Sequence, residues 1–254
     1  MRFITLFLAV LAALPVFADG GDTLPRPPEG KRWQLTWHDE FNGDVLDASK
    51  WKSPECERRG HLWRAANATL DGSGRLVLET NRVGKRFASP CVSTEGRYEK
   101  AFGYFVARCK LPKEEGHWAA FWLYAPCVGK VGDEGRDGTE IDIMEWPHRD
   151  GRVQHTLHWD GYGAAHKSKG FVSHPPGITD GRFHTFSLWW RPEGYVFYVD
   201  GRETWRSRAG GVCQVPLHLI LSEEIGPWAG DIKKAHLPDH FIVDYVRVYD
   251  LVDR

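Results

Sequence analysis

From Trp33 onward the chain alternates short apolar or two-residue-periodic runs with Gly, Pro, Asp and Asn turns. The runs are "RLVLET", "YFVARCKL", "WAAFWLY", "EIDIMEW", "VQHTLHW", "HTFSLWW", "YVFYVDG", "LHLILS" and "FIVDYVRVY". Each has the length and β-branched or aromatic content of a strand, and no stretch carries a sustained 3.6-residue stripe. The pattern therefore predicts an all-β sandwich of two sheets. No internal repeat or low-complexity tract interrupts it.

The first thirty residues do not share the pattern. "MRFITLFLAVLAALPVFA" has a basic Arg2, an apolar run and a small-residue ending, which predicts a secretory signal over residues 1–18. The run is too short for the ~20 apolar residues of a membrane anchor. Residues 19–30, "DGGDTLPRPPEG", read as a linker or disordered start, leaving 31–254 as one domain. Export implies a secreted or periplasmic protein, with no membrane contact once the signal is gone. A formal charge of −1, from 33 basic and 34 acidic residues, lacks the basic footprint of a nucleic-acid binder. The five cysteines include no CxxC pair for zinc. In an exported chain they permit disulfides, with at least one left over.

One run stands out chemically. "EIDIMEW" has the apolar content of a buried strand but carries Glu140, Asp142 and Glu145. Strict alternation puts Glu140 and Asp142 on one face and Glu145 on the other. A one-residue β-bulge near Met144 returns Glu145 to the side of Glu140 and Asp142. Long side chains leaning together across ~13 Å of strand then bring two carboxyls to the ~5–5.5 Å of a retaining glycosidase. Asp142, between them, raises a neighbour's pKa and can share a proton with the nucleophile. A plain solvated strand face would also carry alternating acids. The aromatic neighbours Trp118, Phe121, Trp122, Trp146 and Trp159, and 12 tryptophans in all, favour a sugar-stacking groove instead. A lectin-like jelly roll that only binds would keep the tryptophans, but has no use for three mutually repelling carboxylates.

At this point the chain resembles glycoside hydrolase family 16, retaining endo-glycanases that include laminarinases, lichenases, agarases and carrageenases. "EIDIME" is similar to the family's bulged E-x-D-x-x-E motif, and "WHDEFNGDVLDASKW", "GRYEKAFGYFVARCKLP", "GHWAAFWL", "FHTFSLWWRPEGYVFYVDG" and "FIVDYVRVY" resemble its flanking segments. The likeness spans roughly residues 35–250. It implies a β-jelly-roll of two curved antiparallel sheets, concanavalin A-like, acting on polysaccharide, with no cofactor for catalysis.

Residue by residue, the resemblance makes Glu140 the nucleophile, Asp142 its hydrogen-bonding helper and Glu145 the general acid/base. Trp118 is similar to the tryptophan that floors the site, and His158 to a histidine beside the acids. "LWRAANATLDGSGRLVL" resembles the lichenase branch, which makes Trp63, Arg64, Asn67 and Arg97 expected sugar contacts. The same branch implies a Cys56–Cys91 disulfide. A structural calcium is implied on Glu40, the Gly74 carbonyl and Asp244, with Asp244 pairing to a basic residue such as Arg247 as the alternative. Asn67-Ala68-Thr69 also fits a glycosylation sequon, discounted because a glycan there would block the groove.

Two segments depart from the family pattern: "EGRDGTE" before the nucleophile, and "LSEEIGPWAG" in the last groove loop. The second offers Ser222, Glu223, Glu224 and Trp228 to the groove, and two glutamates there would repel sulfated galactans. The leading expectation is a secreted, retaining endo-β-1,3- or β-1,3/1,4-glucanase acting as a monomer. The alternatives are a β-galactan hydrolase, agarase- or galactanase-like, or a transglycosylase using the same residues.

Overall fold

The computed structural model describes residues 24–254, so the signal and the first five linker residues lie outside the described residues. Two sheets face one another. The smaller, of seven strands, runs in the order Lys167–Ser173, Val153–Trp159, Glu140–Trp146, His117–Tyr124, Leu217–Ile225 and Cys91–Ser93, with Glu99–Lys100 also on Leu217–Ile225. The larger, of eleven strands, has Phe183–Arg191, Gly103–Lys110, Asp239–Asp253 and Leu76–Val83 at its centre. Non-sequential neighbours make this the jelly-roll topology. All ladders are antiparallel except His61–Trp63 beside Arg86–Ser89, which is parallel.

All nine sequence runs are strands. Their inward residues, among them Phe105, Phe121, Ile141, Leu157, Phe186 and Val248, form one core between the sheets. The strand Lys167–Ser173 was not legible because six of its seven residues are exposed. It carries no buried face, so periodicity leaves no trace.

The end of the expected linker is not loose. Leu24 packs on an aromatic cluster of the larger sheet with Trp33, Tyr104 and Trp189, and the Trp33 indole donates to the Pro25 carbonyl at 2.7 Å. Apolar contact and one hydrogen bond dock residues that composition alone reads as flexible.

Candidate active site

The bulge lies where the alternation requires it. Phe121 faces Met144 but Trp122 faces Asp142, and on the other side Asp142 faces Thr156 while Glu145 faces Gln154. Consecutive Ile143 and Met144 both enter the core. That double inward step puts Glu140, Asp142 and Glu145 together on the wall of a cleft of about 630 Å³. Trp63, Trp118, Trp122, Tyr124, Tyr162 and Glu224 also line it.

Burial dominates the electrostatics. It pushes the Glu145 carboxyl up to about 8, helped by the charge of Glu140 and opposed by the polar hydrogens of Trp118 and Thr156 beside it. Asp142 is raised well above the carboxylate range, first by burial and then by its two glutamate neighbours. Glu140 is raised by burial too, but a Tyr162 hydrogen bond and the charges of Arg58 and Arg59 pull it back. The surroundings of the two glutamates thus differ: Glu140 has a phenol donor and two cations that favour its charged form, whereas burial and the Glu140 charge favour the neutral form of Glu145.

Trp118 is braced edge-on by Trp228, with ring centroids 5.3 Å apart. A Cβ on Gly226 would sit 3.3 Å from the Trp118 ring, so a glycine there lets the loop close on the indole. Trp228 itself is exposed and does not line the cleft. His158 Nε2 lies 3.4 Å from Asp142 Oδ2. Burial, then the nearby His166, depress its pKa to about 4, so it is a neutral imidazole beside the acids.

Several expected contacts are elsewhere. Asn67 is buried and its amide donates to the Glu79 carbonyl at 2.8 Å, a structural bond that also excludes a glycan at the sequon. Arg97 is exposed and donates to the Ala48 carbonyl. Arg64 precedes a 3-10 turn, where its amide bonds Ser89. None of the three lines the cleft. Cys56 and Cys91 are free thiols, one exposed and one buried, so the bridge is not made. The calcium donors do not fit a cation. Both Glu40 oxygens take Arg247 at 2.8 Å, and Asp244 takes Arg108 at 2.6 Å, not the Arg247 expected as its alternative partner. Only Gly74 stays near, its missing Cβ 3.5 Å from the Glu40 carbonyl. Among the described residues, the group of acids and histidines close enough to share a cation is Glu140, Asp142 and His158, at the cleft itself.

Glu223 corrects the charge argument. Alternation turns it away from the cleft, where it meets His117 at 2.5 Å in full burial. Glu224 does line the cleft, but Arg58 bonds it directly and Arg59 approaches at 3.6 Å. Two arginines therefore meet one carboxylate, and the expected repulsion of sulfated chains does not arise. Both arginines escaped the sequence reading. They sit in the hairpin Cys56–Trp63, where Arg59 and Gly60 both take positive φ, and "ERRG" is an ordinary turn until the fold tips it over the groove. Tyr162, whose hydroxyl donates to Glu140 Oε2, was missed for the same reason.

The glycosyl hydrolases family 16 model matches residues 57–247. A "Beta-glucanase" of Rhodothermus marinus is 28% identical over 285 residues, covering 100% of this chain and 96% of that protein. A "Keratan-sulfate endo-1,4-beta-galactosidase" of Sphingobacterium multivorum is 30% identical over 244 residues, covering 86% of this chain and 56% of that one. The X-ray structure of an endo-β-1,3-glucanase from Pyrococcus furiosus superposes with a TM-score of 0.74 at 29% identity, covering 89% of this chain and 97% of that one. No helix among the described residues is long and apolar enough to cross a membrane. A match over most of the catalytic fold, on a chain whose bulged strand gathers three carboxylates, makes this protein a retaining glycoside hydrolase of family 16.

Proposed function

We propose that the protein cleaves β-1,3- or β-1,3/1,4-linked glucan internally, after export, with Glu140 as nucleophile and Glu145 as acid/base. The observation that carries this is the bulge-aligned carboxylate trio on the wall of a tryptophan-lined cleft, where burial raises Glu145 to about 8 and favours its acid form. In the first step a Glu140 oxygen bonds C1, the C1–O bond to the leaving sugar breaks, and the Glu145 proton passes to that oxygen. In the second, Glu145 takes a proton from water, the water oxygen bonds C1, and the C1–Glu140 bond breaks to restore the carboxylate. Protons and electrons balance between two carboxylates and one water, so no cofactor enters. The glucanase names of the Rhodothermus and Pyrococcus relatives support the glucan reading.

The deciding experiment is reducing-end release on laminarin, lichenan, agarose, β-1,3-galactan and keratan sulfate, with proton NMR of the first product. Laminarin or lichenan should be cleaved fastest, giving the β-anomer first. An α-anomer as first product ends the mechanism, and no release from either glucan ends the substrate assignment. A second reading is favoured by Arg59, which is more than half exposed and lies 5.8 Å above the Trp118 ring. Arg58 bonds the Glu224 carboxylate and Arg59 stands 3.6 Å from it, so two cations against one charge leave a net positive charge for an anionic sugar, as the keratan-sulfate enzyme suggests. On that reading Arg59→Ala loses activity on keratan sulfate at least tenfold more than on laminarin.

A further inference from the structure

The loop between the strands Val153–Trp159 and Lys167–Ser173 is fastened from both sides. Asp160, 3% exposed, accepts the Gly132 amide at 3.2 Å and pairs with Lys167 at 2.9 Å. It takes φ 59°, a left-handed value that aspartate tolerates better than most residues. The Gly161 amide bonds the Val128 carbonyl at 2.8 Å. This ties the loop to the turn Pro126–Gly129, in the connection that leads into the strand of Glu140. The phenol of Tyr162 is thereby held in the cleft, its ring 5.7 Å from His166 and its hydroxyl on Glu140 Oε2.

We propose that Tyr162 is a further catalytic residue, whose hydroxyl donates to the nucleophilic carboxylate of Glu140 and stabilises the anion that leaves C1 in the second half-reaction. A phenol bonds an ionised carboxylate more strongly than the neutral ester oxygen of a glycosyl-enzyme. The contact therefore weakens as the intermediate forms and is recovered as it breaks down, so its benefit falls on deglycosylation. The anchored loop removes the entropy of placing it. Burial and the Glu140 charge hold the phenol well above its usual pKa, so it stays a donor.

The inference rests on the reading of Glu140 as nucleophile. Glu140→Gln tests that reading separately, and retained activity there removes both. The test proper is Tyr162→Phe, assayed on the dinitrophenyl β-glycoside of an oligosaccharide that the wild type releases. kcat should fall about 10- to 100-fold, the scale of a hydrogen bond to a charged group. KM should fall with it, because a slowed second step lets the intermediate accumulate, and a burst of dinitrophenol should precede the steady state. The acid limb of kcat/KM should move to higher pH, since Glu140 loses the bond that lowers its pKa. Asp160→Ala, which keeps the phenol but frees the loop, should shift all three in the same direction by less. A kcat within twofold of wild type, or a lower kcat with neither KM, burst nor acid limb changed, overturns the proposal. So does an Asp160→Ala enzyme identical to wild type in all three.

Discussion

His117 Nδ1 and Glu223 Oε2 meet at 2.5 Å with neither side chain exposed, while the next residue on each strand, Trp118 and Glu224, faces the cleft. The pairing of His117–Tyr124 with Leu217–Ile225 thus carries a buried ion pair on its inner side and the cleft floor on its outer side. His117 Nε2 also lies 3.4 Å from Asp239 Oδ2. Burial alone would lower the His117 pKa, but the Glu223 charge and the Asp239 and Glu223 carboxylates against its two ring nitrogens outweigh it and raise it to about 9. A folded value above the unfolded 6.5 stabilises the protein fully below pH 6.5, and the contribution is lost as pH rises through 9.

Glu223→Gln should therefore remove about 3–5 kcal/mol, the cost of leaving one buried charge unpaired, or on the order of 10 °C in melting temperature for a domain of this size. The wild type should lose stability between pH 6.5 and 9, and that loss should be absent or displaced in the variant. Calorimetry across this range checks it, and identical pH profiles would reject the assignment.

The Thr156 hydroxyl beside Glu145 lowers its pKa against the push of burial. Thr156→Val should move the alkaline limb of kcat/KM, expected near pH 8 in the wild type, to higher pH, because the acid form of Glu145 then persists further. A limb that stays in place means that another group sets it. Glu145→Gln should lower kcat/KM by several orders of magnitude on polysaccharide and by far less on a dinitrophenyl glycoside, whose leaving group needs no proton.

Arg58 and Arg59 should separate in a stability assay. Arg58 bonds buried Glu224 and stacks 4.4 Å over Trp63, so Arg58→Ala should cost about 3 kcal/mol in urea unfolding. Arg59→Ala should cost less than about 1 kcal/mol, as an exposed ion pair does. Equal losses would show that the two share the Glu224 charge.

A chelator should leave the melting temperature within about 1 °C, since arginines already neutralise Glu40 and Asp244. Arg247→Ala should lower it instead. A chelator-induced drop reversed by calcium would restore the metal site.

What the sequence disclosed and what it hid divide along a physical line. The bulge at Ile143–Met144 was legible because three acids in an apolar strand admit one local solution, and that solution is short-range. Glu223 was misplaced because "SEEI" does not say which of two adjacent glutamates faces a cleft until the strand's partner is known. Asn67 and Arg97 lay beside motif residues but spend their donors on backbone carbonyls 12 and 49 residues away. Tyr162 and Arg58 come from turns, and only tertiary placement aims them. The cysteines carry the same lesson: Cys91 lies in a strand paired with Ser222 and Cys56 opposite Trp63, contacts that sequence separation does not express.

The strand Asp239–Asp253 pairs with Lys31–Asp39, Leu76–Val83 and Gly103–Lys110. Three earlier strands therefore wait for residues synthesised more than a hundred positions later, and until those arrive their edges are open templates for other chains. Folding of this sheet has to follow translation of the segment rather than accompany it, and it is slow because its closing contacts are long-range. Until the strand Asp239–Asp253 arrives, the chain upstream of it stays an open, threadable polymer rather than a closed sandwich.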